Sequence, residues 1–531
     1  MSYRIGIDVG GTNTDAVLID ENMQVIAKYK SATSANIMSG IHDSIARILA
    51  ESGVDKKHVT HAMLGTTHCT NAIVERKNLN RVGVIRIGYP ATTSIPPLYN
   101  WPQDLLEAIG NHQYVVSGGY EFNGDEIVPI DEEEIRSIVN EIKEEVDAIA
   151  VVGVYSPVRP DQEVRVQEII KEIVPDMHVS LSHEIGSMGL LERENAATLN
   201  AALIQVIKLV VNGFTAALTA NGLDPEIFLG QNDGTLMTTD YALSYPIFTI
   251  GCGPTNSIRG AVYLSGIENA MILDIGGTTT DIGVVKNGFP RESSVAIEIG
   301  GVRTNFRMPD MLSIGIGGGT IIRKNETGYT IGPDSVGHEI AKKGIIFGGD
   351  ILTATDIAFG AGMATIDLLD LNADALDKTE CKEAHKQIVH EVEVAIDRMK
   401  TNADDVSIIL SGGGSILLPS SIKGAREVIK PEHFEVANAI GAAIGDISGE
   451  VEKVYSLSEQ SYAEAIEEAK ELAIERAIKA NADPKTVKIV SIEDIPLAYM
   501  PGNALFIKVK AVGQLLVKKM ASGEALNGRY S

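Results

Sequence analysis

The sequence predicts an α/β protein of two similarly built lobes, followed by a small α+β segment at the C-terminal end. Three observations lead there. The octapeptide Asp8-Val-Gly-Gly-Thr-Asn-Thr-Asp15 recurs as Asp274-Ile-Gly-Gly-Thr-Thr-Thr-Asp281, identical at six of eight positions and displaced by 266 residues, about half the chain. Each copy lies between two short apolar runs, Tyr3 to Ile7 and Ala16 to Ile19 in the first, Ala270 to Leu273 and Ile282 to Val285 in the second. That pattern reads as strand, glycine turn, strand. Finally, 531 residues exceed what one hydrophobic core organises. The expected domains are residues 1–190 (first lobe, first hairpin), 191–433 (second lobe, second hairpin) and 434–531 (a connecting helix and the small α+β segment).

The chain begins on a strand pattern at once, which leaves no room for a signal peptide, and no apolar run approaches 18 residues. Acidic residues outnumber basic ones by 71 to 45, a formal charge of −26, which argues against nucleic-acid tracking and docking on anionic membranes. Cys69, Cys252 and Cys381 are far apart and odd in number. They suit reduced thiols in the cytoplasm and exclude a Cys-x-x-Cys metal or iron–sulfur site. His61, His68 and His112 show no ligand spacing, and His68 beside Cys69 reads as a loop neighbour rather than a thiolate–imidazole pair.

In each hairpin the glycines let backbone N–H groups point into a common space, and such nests bind phosphate oxygens. The threonine hydroxyls add neutral donors. The leading aspartates, Asp8 and Asp274, can hold hydrated Mg²⁺, which takes one or two carboxylates plus waters. Asp15 and Asp281 rank below them, because aspartate also serves as a simple turn former.

Further on, the β-branched run Val406 to Leu410 leads into Ser411-Gly-Gly-Gly-Ser415, where a flat base and ribose could lie against backbone. A second glycine run, Gly317 to Gly319, shows how readily such a triplet recurs. The segment Val436 to Gly445 reads as a helix with Ala437, Gly441 and Gly445 on one face, and Glu194 to Leu203 as a comparable small-residue helix. Two such helices can cross closely, because interaxial distance follows side-chain size. Crossing between the lobes, they would form a hinge. The tail reads as a helix over about 460–480 and strands over 487–492 and 504–512.

These features in this order resemble the actin/Hsp70/sugar-kinase ATPase superfamily, with two phosphate motifs, an adenosine motif and two connecting helices. Within it the chain resembles the hydantoinase/oxoprolinase family, of the hydantoinase-A type. The matching segments are Gly65-Thr-Thr-His-Cys-Thr-Asn-Ala-Ile-Val-Glu-Arg-Lys77, Glu192-Arg193 with Thr198-Leu-Asn-Ala201, Asn232 to Met237, Gly251 to Pro254, Gly332 to Ser335 and Thr353 to Asp356. The resemblance covers about residues 4 to 445. Departures are Asn13, where the family commonly has Phe, and Gly337 to Ala341 in place of a proline-rich loop; many family members also continue beyond this length into a C-terminal domain, which is not expected here.

The resemblance implies a two-lobed actin-like (ribonuclease H-like) ATPase fold. It also implies an ATP-dependent amidohydrolase subunit that opens a hydantoin, an oxoproline-like lactam or another cyclic amide. The alternatives are a subunit of an ATP-dependent ketone carboxylase and a small-molecule kinase. ATP and Mg²⁺ are the implied cofactors. A hydantoinase B-like partner subunit, or its equivalent, and assembly into an oligomer are implied as well. Asp8 and Asp274 would orient the metal and, with Thr12 and Thr278, form the catalytic set. Gly10, Gly11, Thr12, Asn13, Thr14, Gly276, Gly277, Thr278 and Thr279 would cradle the phosphates, with Gly412, Gly413 and Gly414 under the nucleoside. Thr66, Thr67 and Asn71 are candidate substrate contacts, although the same polar turn could simply cap the next helix. Arg193 and Asp233 are further cleft candidates. No residue pattern identifies a water-activating base.

Overall fold

A computed structural model describes residues 2–516 apart from 11–12, 33–36, 187, 294–296, 307, 327, 364–371, 373–374, 459 and 499–502. The chain divides into two units, Met1–Gly445 and Asp446–Ser531.

The first unit starts with β1 (Tyr3–Val9), which β2 (Asn13–Ile19) and β3 (Val25–Ala32) follow in antiparallel order. Helix α1 (Ile37–Ser52) then carries the chain over to β4 (Val59–Thr66), parallel to β1 on its other side. Next comes an inserted layer of four parallel strands, β5 (Val82–Tyr89), β6 (His112–Ser117), β7 (Ala148–Gly153) and β8 (His178–Leu181), in the order β6-β5-β7-β8. After α2 (Leu190–Ala202), β9 (Glu226–Gly230) pairs parallel with β4, and β10 (Leu236–Thr238) pairs antiparallel with β9. Helix α3 (Cys252–Ser265) leads into the second lobe.

There β11 (Ala270–Ile275), β12 (Thr280–Lys286) and β13 (Met311–Ile314) are antiparallel neighbours. Helix α4 (Lys378–Met399) precedes β14 (Val406–Ser411), parallel to β11, and β15 (Ala425–Ile429) extends the parallel side. The short helix α5 (Ala437–Ala443) closes the unit. Both sheets therefore run in the same sense: three antiparallel strands, then two parallel to the first. This is the ribonuclease H-like order used twice, a two-lobed actin-like fold with duplicated hairpins.

Apolar period explains each layer. In α1, Ile41, Ile45 and Ile48 recur at helical spacing and are fully buried with Ile5, Ile7 and Leu18 of the hairpin. In β11 the faces alternate: Met271, Leu273 and Ile275 join Ile388, Ile396 and other residues of α4, while Ala270 and Ile272 join Ile258 and Ala261 of α3. Each such aliphatic side chain contributes about 1.5–3 kcal/mol by burial. Gly6 has a sharper reason: a methyl group there would lie 2.3 Å from the carbonyl oxygen of Ala439, so only glycine lets α5 lie on β1.

The second unit is an antiparallel sheet of β16 (Ile447–Tyr455), β17 (Lys488–Pro496) and β18 (Leu505–Gly513), with β18 between the other two, covered by α6 (Tyr462–Lys479). Ser461 and Glu464 cap α6 reciprocally, as Ser-x-x-Glu ahead of a helix does. Its buried face is Ala465, Ala469, Ala473 and Ala477. Strand β16 was not among the expected elements, and α5, grouped in sequence with the C-terminal segment, belongs to the first unit. Among the described residues no single helix is long and apolar enough to cross a membrane.

Candidate nucleotide site

The two hairpin turns close alike. Gly10 N–H donates to the Asn13 carbonyl at 2.9 Å, and Gly276 N–H to the Thr279 carbonyl at 2.9 Å. Asp8 stands opposite Asp15 in the first register and Asp274 opposite Asp281 in the second. Between the turns lies a cavity of about 270 Å³, lined by Gly10, Asn13, Asp15 and Lys30 from one side and Asp274, Gly276, Gly277 and Gly318 from the other. Gly412, Gly413, Gly414, Phe434 and Glu435 complete one wall, and Ser257, Asn438 and Thr355 come from helices. Gly11 and Thr12 lie outside the described residues.

The glycine bed after β14 is built for close approach. Gly412 takes φ +77°, and a methyl group there would lie 2.4 Å from the Ile275 carbonyl oxygen and 2.5 Å from Asp274 Oδ1. Gly413, by contrast, faces open space. The other glycine run, Gly317 to Gly319, is part of the same site. Gly318 N–H donates to Gly276 O at 3.0 Å and Gly319 N–H to Gly277 O at 2.7 Å, which fixes the second turn from behind. Nothing in the triplet itself distinguished this role from an ordinary loop.

Charge is unevenly placed. Asp274 is half-buried at the end of β11; burial raises its pKa, against which the hydroxyls of Ser257 and Ser411 and the Lys30 ammonium favour the charged form. Asp8 is only 3 % exposed and does not line the cavity. Its oxygens accept from Asn256 Nδ2 at 3.1 Å and Asn438 Nδ2 at 3.0 Å. Burial, with the nearby charges of Asp15 and Asp274, pushes its carboxyl up to about 6 despite those amides. Asp15 is likewise raised by burial, and Lys30 Nζ opposes this from 2.9 Å and 3.0 Å of its two oxygens. Asp281 accepts from Ser313 Oγ at 2.5 Å, and burial pushes it up to about 6.

The donor set fits Mg²⁺ in one respect and reorders the expected pair in another. Among the described residues no three His, Cys, Asp or Glu side chains gather as a metal cage. An ion completed by phosphate oxygens and water needs only one or two carboxylates. Asp274 presents one to the cavity beside the glycine turn. Asp8, expected as its equal, does not line the cavity and is held by the amides of Asn256 and Asn438.

The helix crossing also differs from expectation. The partner of α5 is α3, not the segment Glu194 to Leu203. A methyl group on Gly260 would lie 1.8 Å from Ala437 O, and one on Gly441 would lie 1.8 Å from Asn256 O, so backbone meets backbone. Residues 194–203 instead bury polar anchors. Glu194 takes Arg86 through two hydrogen bonds of 2.6 and 2.7 Å, and Asn195 accepts from Trp101 Nε1 at 2.7 Å.

The remaining candidates separate. Thr14 is buried in β2, and Thr278 and Thr279 complete the second turn without lining the cavity. Thr66 ends β4 near Asp8 and Thr67 precedes the next helix: Thr67 Oγ1 donates to Val9 O at 3.3 Å, Thr66 N–H to Cys252 Sγ at 3.3 Å, and the Thr66 hydroxyl bonds His68 Nδ1. Asn71 is exposed one turn along the following helix. Arg193 is not brought to the cavity. It is fully buried, donating to Ser182 Oγ at 2.9 Å and to the carbonyls of Met188 and Gly153, with Glu163 as its nearby counter-charge. Asp233 caps its own turn, accepting from Thr235 N–H at 2.8 Å and Thr235 Oγ1 at 2.6 Å. Sequence reasoning missed Lys30, Ser257, Asn256, Thr355 and Asn438, none of which sits in a glycine motif.

Residues 4–174 match the hydantoinase/oxoprolinase N-terminal region and residues 193–405 match hydantoinase/oxoprolinase. The alpha subunit of the caprolactamase of Pseudomonas jessenii is 26% identical over 364 residues, covering 63% of this chain and 51% of that protein. The acetophenone carboxylase gamma subunit of Aromatoleum aromaticum is 25% identical over 425 residues, covering 72% and 56%. The chain thus spans about half the length of these curated relatives. The crystal structure of the ATP-dependent caprolactamase from Pseudomonas jessenii superposes with a TM-score of 0.77 at 18% identity, covering 98% of this chain and 89% of that one, which bears out the fold. With both halves of its first unit matched in order, the chain belongs to the hydantoinase/oxoprolinase family.

Proposed function

We propose that the protein is the ATP-using subunit of a hydrolase that opens a cyclic amide: a hydantoin, an oxoproline-like lactam or a close relative. The observation that carries this reading is the cavity between two glycine turns of one backbone design, with Asp274 at its wall and a glycine bed beside it. Amides resist hydrolysis because resonance makes the carbonyl a poor electrophile. Transfer of the γ-phosphoryl group to the carbonyl oxygen turns that oxygen into a leaving group. Water then adds at the carbon, the ring C–N bond breaks with the proton going to the amine and leaves an acyl phosphate, and a second water releases the carboxylate and inorganic phosphate. Such a transfer asks mainly for positioning and charge stabilisation.

The turn amides would hold the phosphate oxygens, and Gly412 to Gly414 would admit the nucleoside. Asp274 would hold Mg²⁺, which when bound neutralises polyphosphate charge. Thr66, at the end of β4, and Thr67, just before the next helix, remain the proposed substrate-side contacts. A partner subunit carrying the water-activating group fits both the absence of a sequence pattern for such a base and the relatives named as subunits. The scattered thiols fit the cytoplasm. The carboxylase relative supports a second reading, in which the same activation serves carboxylation of a ketone by bicarbonate.

The test is phosphate release from Mg²⁺-ATP across hydantoins, lactams, imides, and ketones with bicarbonate, with and without the co-purified partner. Release that depends on one cyclic amide supports the hydrolase, and release that depends on ketone and bicarbonate selects the carboxylase. Release indifferent to the whole panel sinks both.

A further inference from the structure

Lys30 is the only cationic side chain among the described residues that line the cavity. It stands on β3 directly opposite Asp15. Its ammonium, on a side chain 33% exposed, touches both Asp15 oxygens, at 2.9 and 3.0 Å, and donates to Glu435 O at 3.1 Å. An ammonium has three N–H donors. With one spent on Asp15 and one on Glu435 O, a third is left for an oxygen inside the cavity. The field of Lys30 also reaches across to the second hairpin, where it favours the charged form of Asp274.

The cavity needs such a group. Its lining includes Asp15, Asp274 and Glu435, of which Glu435 is paired with Lys28 Nζ at 2.5 Å, with Asp8 just behind, on a chain of formal charge −26. Turn amides and hydroxyls are neutral donors, so they shape a polyphosphate site without offsetting its charge. Hydrogen bonds between an ionised donor and a phosphate oxygen are about twice as strong as neutral ones.

We propose that Lys30 is a polyphosphate-binding residue: its ammonium rests on Asp15 and Glu435 O and turns to donate to a phosphate oxygen once a nucleotide binds. The inference rests on the nucleotide reading of the site and adds to it the residue that balances the ligand's charge. Asp15 becomes the resting partner of that ammonium rather than a metal ligand, and Asn438 Nδ2, 2.7 Å from its Oδ2, keeps the carboxylate hydrogen-bonded when the ammonium turns to the ligand.

The experiment measures dissociation constants for ATP, ADP and adenosine by calorimetry, with the wild type, Lys30→Met, Lys30→Arg and the double variant Lys30→Met/Asp15→Asn. The double variant removes the buried charge together with its partner, so a folding defect in the single variant is not mistaken for lost binding. Lys30→Met should weaken ATP by about tenfold or more, leave adenosine within about twofold, and be largely rescued by Lys30→Arg. The double variant should keep the ATP-selective loss. Equal losses for ATP and adenosine, no loss, or recovery of ATP affinity in the double variant would each overturn the proposal, the last by reducing Lys30 to a counter-ion for Asp15. A wild type that binds none of the three ligands overturns the nucleotide reading itself, and this inference with it.

Discussion

One side-chain amide of Asn438 serves two carboxylates on adjacent strands: Nδ2 lies 3.0 Å from Asp8 Oδ2 and 2.7 Å from Asp15 Oδ2. The two aspartates face each other in the β1–β2 register and both are buried. Two like charges that close are tolerated only with shared donors, and the donor here arrives on α5.

Asn438→Ala should therefore destabilise the first unit by about 1–3 kcal/mol, the cost of leaving buried acceptors short of a partner. Urea unfolding followed by circular dichroism measures it. An unchanged midpoint would mean that the two carboxylates are stabilised without this amide.

Asp281 gives a pH dependence whose sign is fixed. Its carboxyl is raised from 3.8 to about 6 by burial, so between those values the folded state binds more protons than the unfolded one. Stability from this group is then lost as pH rises from about 4 to about 6 and is flat above. Asp281→Asn, which still accepts from Ser313, should gain on the wild type by about 1–3 kcal/mol across that window. Parallel unfolding curves at pH 4, 5, 6 and 7 test it, and a constant difference would contradict the burial argument.

Adjacent glycines should behave oppositely. Gly412→Ala forces a side chain into φ +77° and against the Ile275 carbonyl, so a loss of more than about 1 kcal/mol of stability is expected. Gly413→Ala meets nothing within 4 Å, so its melting temperature should hold while its methyl group intrudes on the cavity and weakens nucleotide binding. Thermal melts with and without ATP separate the two.

Arg193→Met should cost about 1–3 kcal/mol, because it leaves the buried Ser182 hydroxyl and the Met188 and Gly153 carbonyls short of a donor and removes a counter-charge from beside Glu163. Glu163 is fully buried and is committed to Gly153 N–H and His183 Nδ1, both at 2.6 Å. Thermal denaturation reads the loss. If melting is unaffected and only turnover falls, Arg193 belongs to the chemistry after all.

The hairpins were legible because their motif is doubled, and a doubled glycine turn between apolar runs leaves few other folds. The helix crossing was half legible. Ala437 and Gly441 marked α5, but its partner hid in Cys252–Ser265, whose glycine-rich start reads as a turn, while the alanines of 194–203 imitated a small face. Those alanines surround buried Glu194, Asn195 and Asn200, whose needs appear only once Arg86, Trp101 and Ser180 are placed around them. Lys30 and Asn438 had no local signal. One sits in an ordinary strand and the other in a short helix, and each gains meaning only when chain folding brings Asp15 beside it, from 423 positions away for Asn438.

The duplication has a last consequence. Two turns with the same backbone closure would by themselves give a cavity that looks alike from either end. Here the first turn is flanked by the Lys30 ammonium and the Asp15 carboxylate, whereas the second has the Asp274 carboxylate and, among the described cavity residues, no ammonium. The cavity thus has a direction, with its positive charge at the end of the first turn.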